Sequence, residues 1–157
     1  MRHTVLYMHL LLLSQLTCTT SSAPSPVQQG LSLPFLPVSF GEFFDKLSIL
    51  KIKIRLILDT EKRNYAQKEY DLLMSIYNQY QDLFHQFPEI KTLKYKLYVV
   101  NRRLWDLEDK VRDIHLAPTL FLIYAHLIHI YNDKRSRYKR EINELLNSPI
   151  LEVKSHA

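Results

Sequence analysis

The sequence predicts an all-α protein: an antiparallel up-down bundle of about four helices with an extended N-terminal leader. Gly41 is the last glycine of the 157-residue chain, and only Pro88, Pro118 and Pro149 follow it as prolines. Glycine and proline interrupt regular structure most strongly, so the segments between these positions are long enough for helices. Apolar residues recur within them at three- and four-residue steps, the spacing of one helix face. Short connections favour antiparallel neighbours.

The start of the chain has a different character, because residues 4–40 contain no Lys, Arg, Asp or Glu. The apolar run Val5–Leu13 and the small residues before Pro24 predict an export signal over residues 1–23. His9 interrupts the apolar run, and a proline directly after the cleavage point is unfavourable. Two locations therefore stay open: exported if this segment is a signal, and cytoplasmic otherwise.

The next segment, residues 24–38, holds four prolines and predicts a linker or an extended arm. Residues 39–157 then form the helical domain. The formal net charge of +5 permits anionic partners without requiring one. Cys18 is the only cysteine, which excludes an intramolecular disulfide and a thiolate metal cage. A domain without glycine beyond its first turn also excludes glycine-rich phosphate loops, and with them most nucleotide-binding enzymes.

A capping box predicts the start of the first helix. Ser39 can accept a hydrogen bond from the backbone N–H of Glu42, whose side chain can reach back. Two apolar stripes follow, so this helix is expected to be buried on more than one side and to lie centrally. The first stripe contains Phe43, Phe44, Leu47, Leu50, Ile54 and Leu58, and the second contains Ile49, Ile52 and Leu56.

The second helical segment is predicted from about residue 61 to residue 86, where Pro88 ends it. Its inner face is expected to contain Tyr65, Leu72, Ile76, Tyr80, Leu83 and Phe87, with Leu73, Tyr77 and Phe84 on the flanks.

The third segment, residues 89–115, carries a heptad pattern like a coiled-coil seam. Its members are Leu97, Val100, Leu104, Leu107, Val111 and Ile114. Pro118 suits the first turn of a fourth helix, predicted over residues 118–147. The first half of that helix is a twelve-residue apolar stretch, too short to cross a bilayer, and is expected to be a buried core helix.

The second half of the fourth helix is charged, and Lys134 and Arg135 stand where an apolar seam should continue. An antiparallel arrangement about Pro118 places Trp105 opposite Tyr131, so the charged half would face the acidic start of LWDLEDKVRD. One interpretation is a lattice of salt bridges on a solvated flank, each of which contributes little stability. The sharper hypothesis is a polar cleft with an aromatic wall, in which three cations hold an anionic group. Those cations are Arg135, Lys139 and Arg140.

Two other chemistries are less favoured by the same region. Nucleic-acid binding is disfavoured because acidic residues dilute the basic run and no known module motif is present. His126 and His129 are three residues apart and could ligate one metal ion. No third ligand stands nearby, so a pair at the edge of the core is the favoured interpretation, and neither a metal nor a cofactor is predicted.

Three stretches of the chain, 37–53, 101–113 and 130–155, resemble an uncharacterised bacterial family of small all-helical proteins, a domain of unknown function. The similar residues are Gly41-Glu42, Asp45-Lys46, Ile49-Leu50, Ile52-Lys53, Leu104-Trp105, Glu108-Asp109, Asn132-Asp133, Arg135, the run Lys139 to Asn143, Glu152 and Lys154-Ser155. The chain departs from the pattern at Val153, where the family is acidic, and at its non-aromatic end. The family's members begin near Pro37, so the leader lies outside the resemblance. The resemblance implies no reaction; by gene association it implies a link to cell-surface polysaccharide assembly.

Together these observations predict a non-catalytic interaction module or anionic-ligand-binding module. The alternative is a small helical enzyme that acts on an acidic metabolite between Arg and Lys side chains. The expected partner is a protein or a small anionic ligand; an oligomer stays open, and no catalytic residue is assigned. Lys46, Arg135, Lys139 and Arg140 would supply charge, Glu108, Asp109, Asp133 and Glu141 would orient them, and Trp105 and Tyr131 would form the wall. The resemblance adds Asp45 and Asn132.

Overall fold

The computed structural model describes residues 36–151. The predicted export signal, Cys18, most of the predicted linker and the tail after Leu151 lie outside the described residues. The described chain forms five helices and no strand, which confirms the all-α class. The helices are α1 (Phe40–Leu56), α2 (Thr60–Gln79), α3 (Gln81–His85), α4 (Glu89–Val111) and α5 (Pro118–Leu145). Within this part of the chain, no helix combines the length and apolarity that crossing a membrane requires.

Helix α1 is the central helix, as its two apolar stripes predict, because it packs against α2, α4 and α5. Its start is also as predicted: the Ser39 hydroxyl accepts a hydrogen bond from the Glu42 backbone N–H at 3.2 Å. The Glu42 side chain, however, forms an ion pair with Lys139 of α5. The first turn of α1 is therefore held both by a local cap and by a tertiary contact.

The predicted second segment is divided in two at Tyr80, whose φ of −105° and ψ of 9° lie outside the helical range. Phe84 of α3 is consequently buried, although the sequence placed it on a flank. Its ring centroid lies 5.0 Å from that of Phe44 and 5.1 Å from that of Tyr77. Such edge-to-face and tilted ring pairs add to the stability that apolar burial provides.

Two residues that were predicted on the inner face of this segment, Tyr65 and Leu72, are exposed. The prediction was wrong because α2 packs chiefly against α1, so only a narrow stripe of α2 is covered. The residues near its end, among them Ile76 and Tyr77, do pack against the core.

The capping residue at the start of α2, Asp59, gives a prediction that can be tested by measuring stability at different pH values. The Asp59 carboxylate accepts a hydrogen bond from the Lys62 backbone N–H at 3.1 Å, and this bond holds the pKa of Asp59 below its ordinary value of 3.8. A lowered pKa in the folded state means that the stabilisation is complete above pH 3.8 and is lost as the pH falls through the lower folded value. Urea unfolding followed by circular dichroism from neutral to acidic pH is expected to show this loss.

Asp59→Asn is the control for that titration, because asparagine also caps a helix start but does not titrate. The variant is expected to lose less stability than the wild-type chain on acidification. Identical pH profiles of the two chains would contradict the role of Asp59.

Helix α4 confirms four members of the predicted seam, since Leu97, Val100, Leu104 and Leu107 are buried. The seam ends earlier than predicted, because the helix stops at Val111 and Ile114 lies in the following turn. Helix α5 begins at Pro118, where proline has no intrahelical N–H to lose. It runs antiparallel to α4, as the ring contacts Lys96–Tyr138 and Lys110–Tyr124 show.

The first half of α5 is not the buried core helix that its composition predicts. Leu120, Phe121, Leu122 and Ile123 are exposed. Helix α1 has 17 residues and α5 has 28, and the ion pair between Glu42 and Lys139 places the start of α1 beside the C-terminal half of α5. At the helical rise, α1 ends before it reaches the level of the first residues of α5, which lie beside the end of α4.

Candidate functional site

The site is positioned by a close approach between the start of α1 and the second half of α5. The Gly41 backbone N–H donates a hydrogen bond to the Asn143 side-chain oxygen at 2.6 Å. A Cβ atom on residue 41 would lie 2.5 Å from the carbonyl oxygen of Lys139, closer than a carbon atom can stand. Only glycine allows this contact, which brings the carboxylates of α1 within reach of the cations of α5.

A buried polar network joins α1, α4 and α5. Asp45 is only 2% exposed, and its carboxylate accepts hydrogen bonds from two guanidinium nitrogens of Arg135, the Nε at 2.9 Å. The Asn101 amide nitrogen donates to the same carboxylate at 2.8 Å and to the Ser48 hydroxyl at 2.5 Å. A bidentate pair of this kind fixes the plane of the guanidinium group.

A second ion pair lies one helical turn away, between Glu42 of α1 and the buried side chain of Lys139 of α5. A third joins Lys46 to Glu69 of α2 at 2.7 Å, with both side chains about half-exposed. Helix α1 therefore forms ion pairs with α2 as well as with α5.

Beside Asp45 and Arg135 lies a cleft of about 210 Å³ that is partly open to solvent. Its floor is apolar and formed by Ile49 and Ile52 of α1 with Leu104 of α4. Trp105 provides an aromatic wall. The polar lining consists of two guanidinium groups, two carboxylates and two amides: Arg112, Arg135, Glu108, Asp109, Asn101 and Asn132.

The cleft gathers five of the twelve residues that the sequence singled out. These are Trp105, Glu108, Asp109, Asn132 and Arg135. A sixth, Asp45, accepts a hydrogen bond from Arg135. Trp105 and Asn132 share the cleft because α4 and α5 are antiparallel about Pro118, as the sequence predicts. This convergence of residues from separate helices is the main feature of the site.

The other predicted residues are not part of the cleft lining. Lys46 pairs with Glu69 and Lys139 with Glu42, while Arg140 is exposed. Asp133 lies 3.7 Å from His129, and Glu141 lies 3.6 Å from Arg137. Tyr131 has the ammonium group of Lys134 5.0 Å from its ring centroid.

The charged half of α5 faces acids of α4, since Arg135 lines the same cleft as Glu108 and Asp109. Arg135 also forms an ion pair with Asp45 of α1, which the sequence did not predict. The sequence carried a signal for this pairing: Glu42 and Asp45 are three residues apart on α1, and Arg135 and Lys139 are four apart on α5. Such spacings match when two helices run antiparallel.

Sequence reasoning also missed several lining residues, namely Ile49, Ile52, Asn101, Leu104 and Arg112 as cleft members. Asn101 is a buried polar residue that interrupts the apolar face of α4, and such an interruption is the signal that could have identified it.

The two histidines of α5 are both exposed, so the predicted place at the edge of the core was wrong. Across residues 36–151, no group of three or more His, Cys, Asp or Glu side chains is arranged to hold a metal ion.

A scan against protein-family models found no match, and searches of curated proteins and of solved structures found no similar protein. The resemblance to a bacterial family stays a prediction, and any function must be argued from the cleft.

Proposed function

We propose that this chain is a non-catalytic binding module whose cleft takes a small anionic ligand. The observation that carries the proposal is the convergence of Trp105, Asn132 and Arg135 in one partly open cleft with an apolar floor. A concave apolar site with a few fixed polar groups is the usual form of a small-molecule site. The bidentate bond to Asp45 holds Arg135 in place before a ligand arrives, which lowers the entropy lost on binding.

The charges of the lining restrict the ligand further. Arg112 and Arg135 are balanced by Glu108 and Asp109, and Asp45 offsets much of the charge of Arg135. A ligand with only negative charge would be repelled by the two carboxylates. The fitting ligand therefore combines an anionic group, which the guanidinium groups bind, with hydroxyl or ammonium donors for Glu108 and Asp109.

The size of the cleft sets an upper limit on what it encloses. Its volume of about 210 Å³ is below the range of about 300–1,000 Å³ that drug-sized ligands occupy. It suits one small metabolite or one unit of a longer chain, with a ring face against Trp105. A link to cell-surface polysaccharide assembly stays a prediction of the resemblance, and an acidic monosaccharide is its natural probe.

Trp105 is the only tryptophan of the chain, so its indole signal reports on the cleft alone. In titrations followed by the indole N–H resonance and by fluorescence, glucuronate and glutamate are expected to shift the signal. Neutral glucose is expected to do so much more weakly, because it lacks the anionic group. Absence of a shift with every anionic probe would overturn the proposal.

Arg112→Gln is expected to weaken binding of such a probe at least about tenfold, because a charge-assisted hydrogen bond contributes about 1.5–3 kcal/mol. Arg112 is exposed, so its replacement is expected to leave the fold intact. Arg103→Gln is the matched control, since it makes the same change on an exposed residue of α4 that does not line the cleft. Isothermal titration calorimetry measures both affinities. An equal loss in the two variants would show that net charge, and not the cleft, binds the probe.

The enzyme alternative is favoured by one observation, the position of Glu108 and Asp109 in the same cleft as two guanidinium groups. Carboxylates beside a bound substrate are the usual groups for acid–base catalysis. An enzyme would convert a bound probe over time in the NMR experiment, and Glu108→Gln or Asp109→Asn would slow that conversion while binding persists. A probe that binds and stays unchanged would support the module.

A further inference from the structure

The end of the α4–α5 hairpin is an apolar surface that the cleft does not use. This hairpin tip comprises Ile114 and residues 116–123, from the turn between the two helices and the start of α5. Ile114 is 90% exposed and Leu122 is 68% exposed. Leu120, Phe121 and Ile123 are each exposed over two-fifths or more of their surface. Monomeric proteins seldom leave so many large apolar side chains together in water.

The contacts of α1 explain why the tip is exposed to solvent. Glu42 pairs with Lys139, and Asp45 pairs with Arg135, so later residues of α1 lie beside earlier residues of α5 and the two helices are antiparallel. At the helical rise of about 1.5 Å per residue, the last residue of α1, Leu56, reaches no farther than the level of about residue 125 of α5. The tip extends beyond that level, where two helices stand without the third that covers them elsewhere.

The tip also lacks charged side chains, so its burial against another surface would desolvate no charge. From Leu116 to Asn132 the chain contains no Lys, Arg, Asp or Glu. On an exposed helix end that is meant for water, charged residues would be expected among the apolar ones. Burial of a large aliphatic or aromatic side chain is favourable in proportion to the apolar area removed from water, so a partner that covers these side chains gains a driving force for association.

We propose that the hairpin tip is a self-association surface, through which two copies of this chain pair about a two-fold axis. Two antiparallel helices are half of a four-helix bundle, and a second hairpin supplies the other half. Two-fold pairing brings the same patch of each copy together, so an uncharged patch meets no like charge. A stable interface buries about 800 Å² per partner, so such an interface would include the neighbours of these exposed side chains as well.

The charges that border the tip favour a second copy over a lipid surface. Asp109 and Asp113 flank Lys110 and Arg112 at the end of α4 and in the turn. Mixed signs complement each other across a two-fold axis, because the cations of one copy can meet the acids of the other. The acidic residues oppose approach to an anionic membrane, which attracts clusters of a single, positive sign.

Leu122→Glu in the full chain tests the proposal by multi-angle light scattering and sedimentation equilibrium. The wild-type chain is expected to be a dimer, and the variant a monomer or a dimer with at least a tenfold higher dissociation constant. Leu72→Glu is the matched control, because Leu72 is 56% exposed on α2, away from the tip, and its variant is expected to stay dimeric. A monomeric wild-type chain, or an equal effect of both substitutions, would overturn the proposal.

Disulfide trapping gives the geometry of the interface. In a chain carrying Cys18→Ser, Leu122→Cys is expected to form an intermolecular disulfide on mild oxidation, because a residue near a two-fold axis meets its own copy. Leu72→Cys in the same background is expected to stay unlinked. Co-sedimentation with phosphatidylcholine–phosphatidylserine vesicles is the third measurement. Vesicle binding that Leu122→Glu abolishes, without dimerisation in solution, would assign the tip to lipid and overturn the dimer.

Discussion

Replacement of Arg135 by methionine is expected to lower the free energy of unfolding by about 3 kcal/mol. Methionine keeps much of the side-chain volume but removes the guanidinium group that donates two hydrogen bonds to Asp45. The buried carboxylate of Asp45 would then keep only the Asn101 amide as a side-chain donor. An uncompensated buried charge, and not the loss of attraction itself, is the source of this cost. Urea unfolding followed by circular dichroism measures it.

Arg137→Met is the matched control, two positions along the same helix and on its exposed side. Arg137 is exposed and lies 3.6 Å from Glu141, and exposed pairs of this spacing contribute about 0.3–0.5 kcal/mol. The double variant Asp45→Leu with Arg135→Met is expected to be more stable than Arg135→Met alone, because replacing both partners by apolar groups leaves no buried charge. Equal effects of Arg135→Met and Arg137→Met, or a double variant that loses the sum of both single losses, would contradict this account.

Gly41→Ala is expected to destabilise the fold by about 2–3 kcal/mol, the cost of inserting a methyl group into a packed contact. Helix propensity alone predicts the opposite sign, a gain of about 0.5–1 kcal/mol from replacing a helical glycine by alanine. The difference arises because the new Cβ atom would stand 2.5 Å from the Lys139 carbonyl oxygen, a backbone atom that cannot rotate away. Thermal unfolding should show a lower Tm than that of the wild-type chain.

Asn143→Ala separates the hydrogen bond from the steric contact. It removes the acceptor of the Gly41 N–H without adding an atom, and a loss of about 1–3 kcal/mol is expected from the unsatisfied buried donor. Gly41→Ala in the Asn143→Ala background should still be destabilising, because the Lys139 carbonyl remains. A neutral or stabilising effect of Gly41→Ala would show that α1 and α5 are not in close contact there.

The two predictions bear on how the cleft should be tested. Arg135 lines the cleft and also compensates a buried carboxylate, so its removal is expected to impair folding and binding together. Arg112 lines the same cleft but is exposed, so its replacement is expected to weaken binding without impairing folding. The sequence alone presented a salt-bridge lattice and a binding cleft as alternatives. In the structure, Arg135 takes part in an ion pair and in the cleft lining.

Several elements were predictable because their causes are local. The capping serine at residue 39, the proline at the start of α5 and the apolar seam of α4 each depend on residues within a few positions of one another. Local rules also predicted that Trp105 would lie opposite Tyr131, since the turn at Pro118 fixes which residues of two antiparallel helices are level, and Asn132, the neighbour of Tyr131, does share the cleft with Trp105.

Other features were predicted wrongly because their causes are not local. Leu120 and Leu122 have the composition of a core helix, yet whether they are buried depends on how far α1 reaches. Leu72 has the right spacing for an inner face, but α2 has too few neighbours to cover it. The burial of a side chain depends on how many other helices pack against its own helix, and the apolar pattern of one helix does not give that number.

The sequence by itself determined that the chain is helical, where α1 and α5 start, and four residues of the α4 seam, because propensity, capping and periodicity act over a few residues. Only the tertiary structure decided which charges pair. Asp45 pairs with Arg135 and Glu42 pairs with Lys139 across ninety or more positions of the chain, at a helix separation that Gly41 permits. The cleft exists because three helices meet at that separation, and a contact between distant segments depends on the packing of the whole domain.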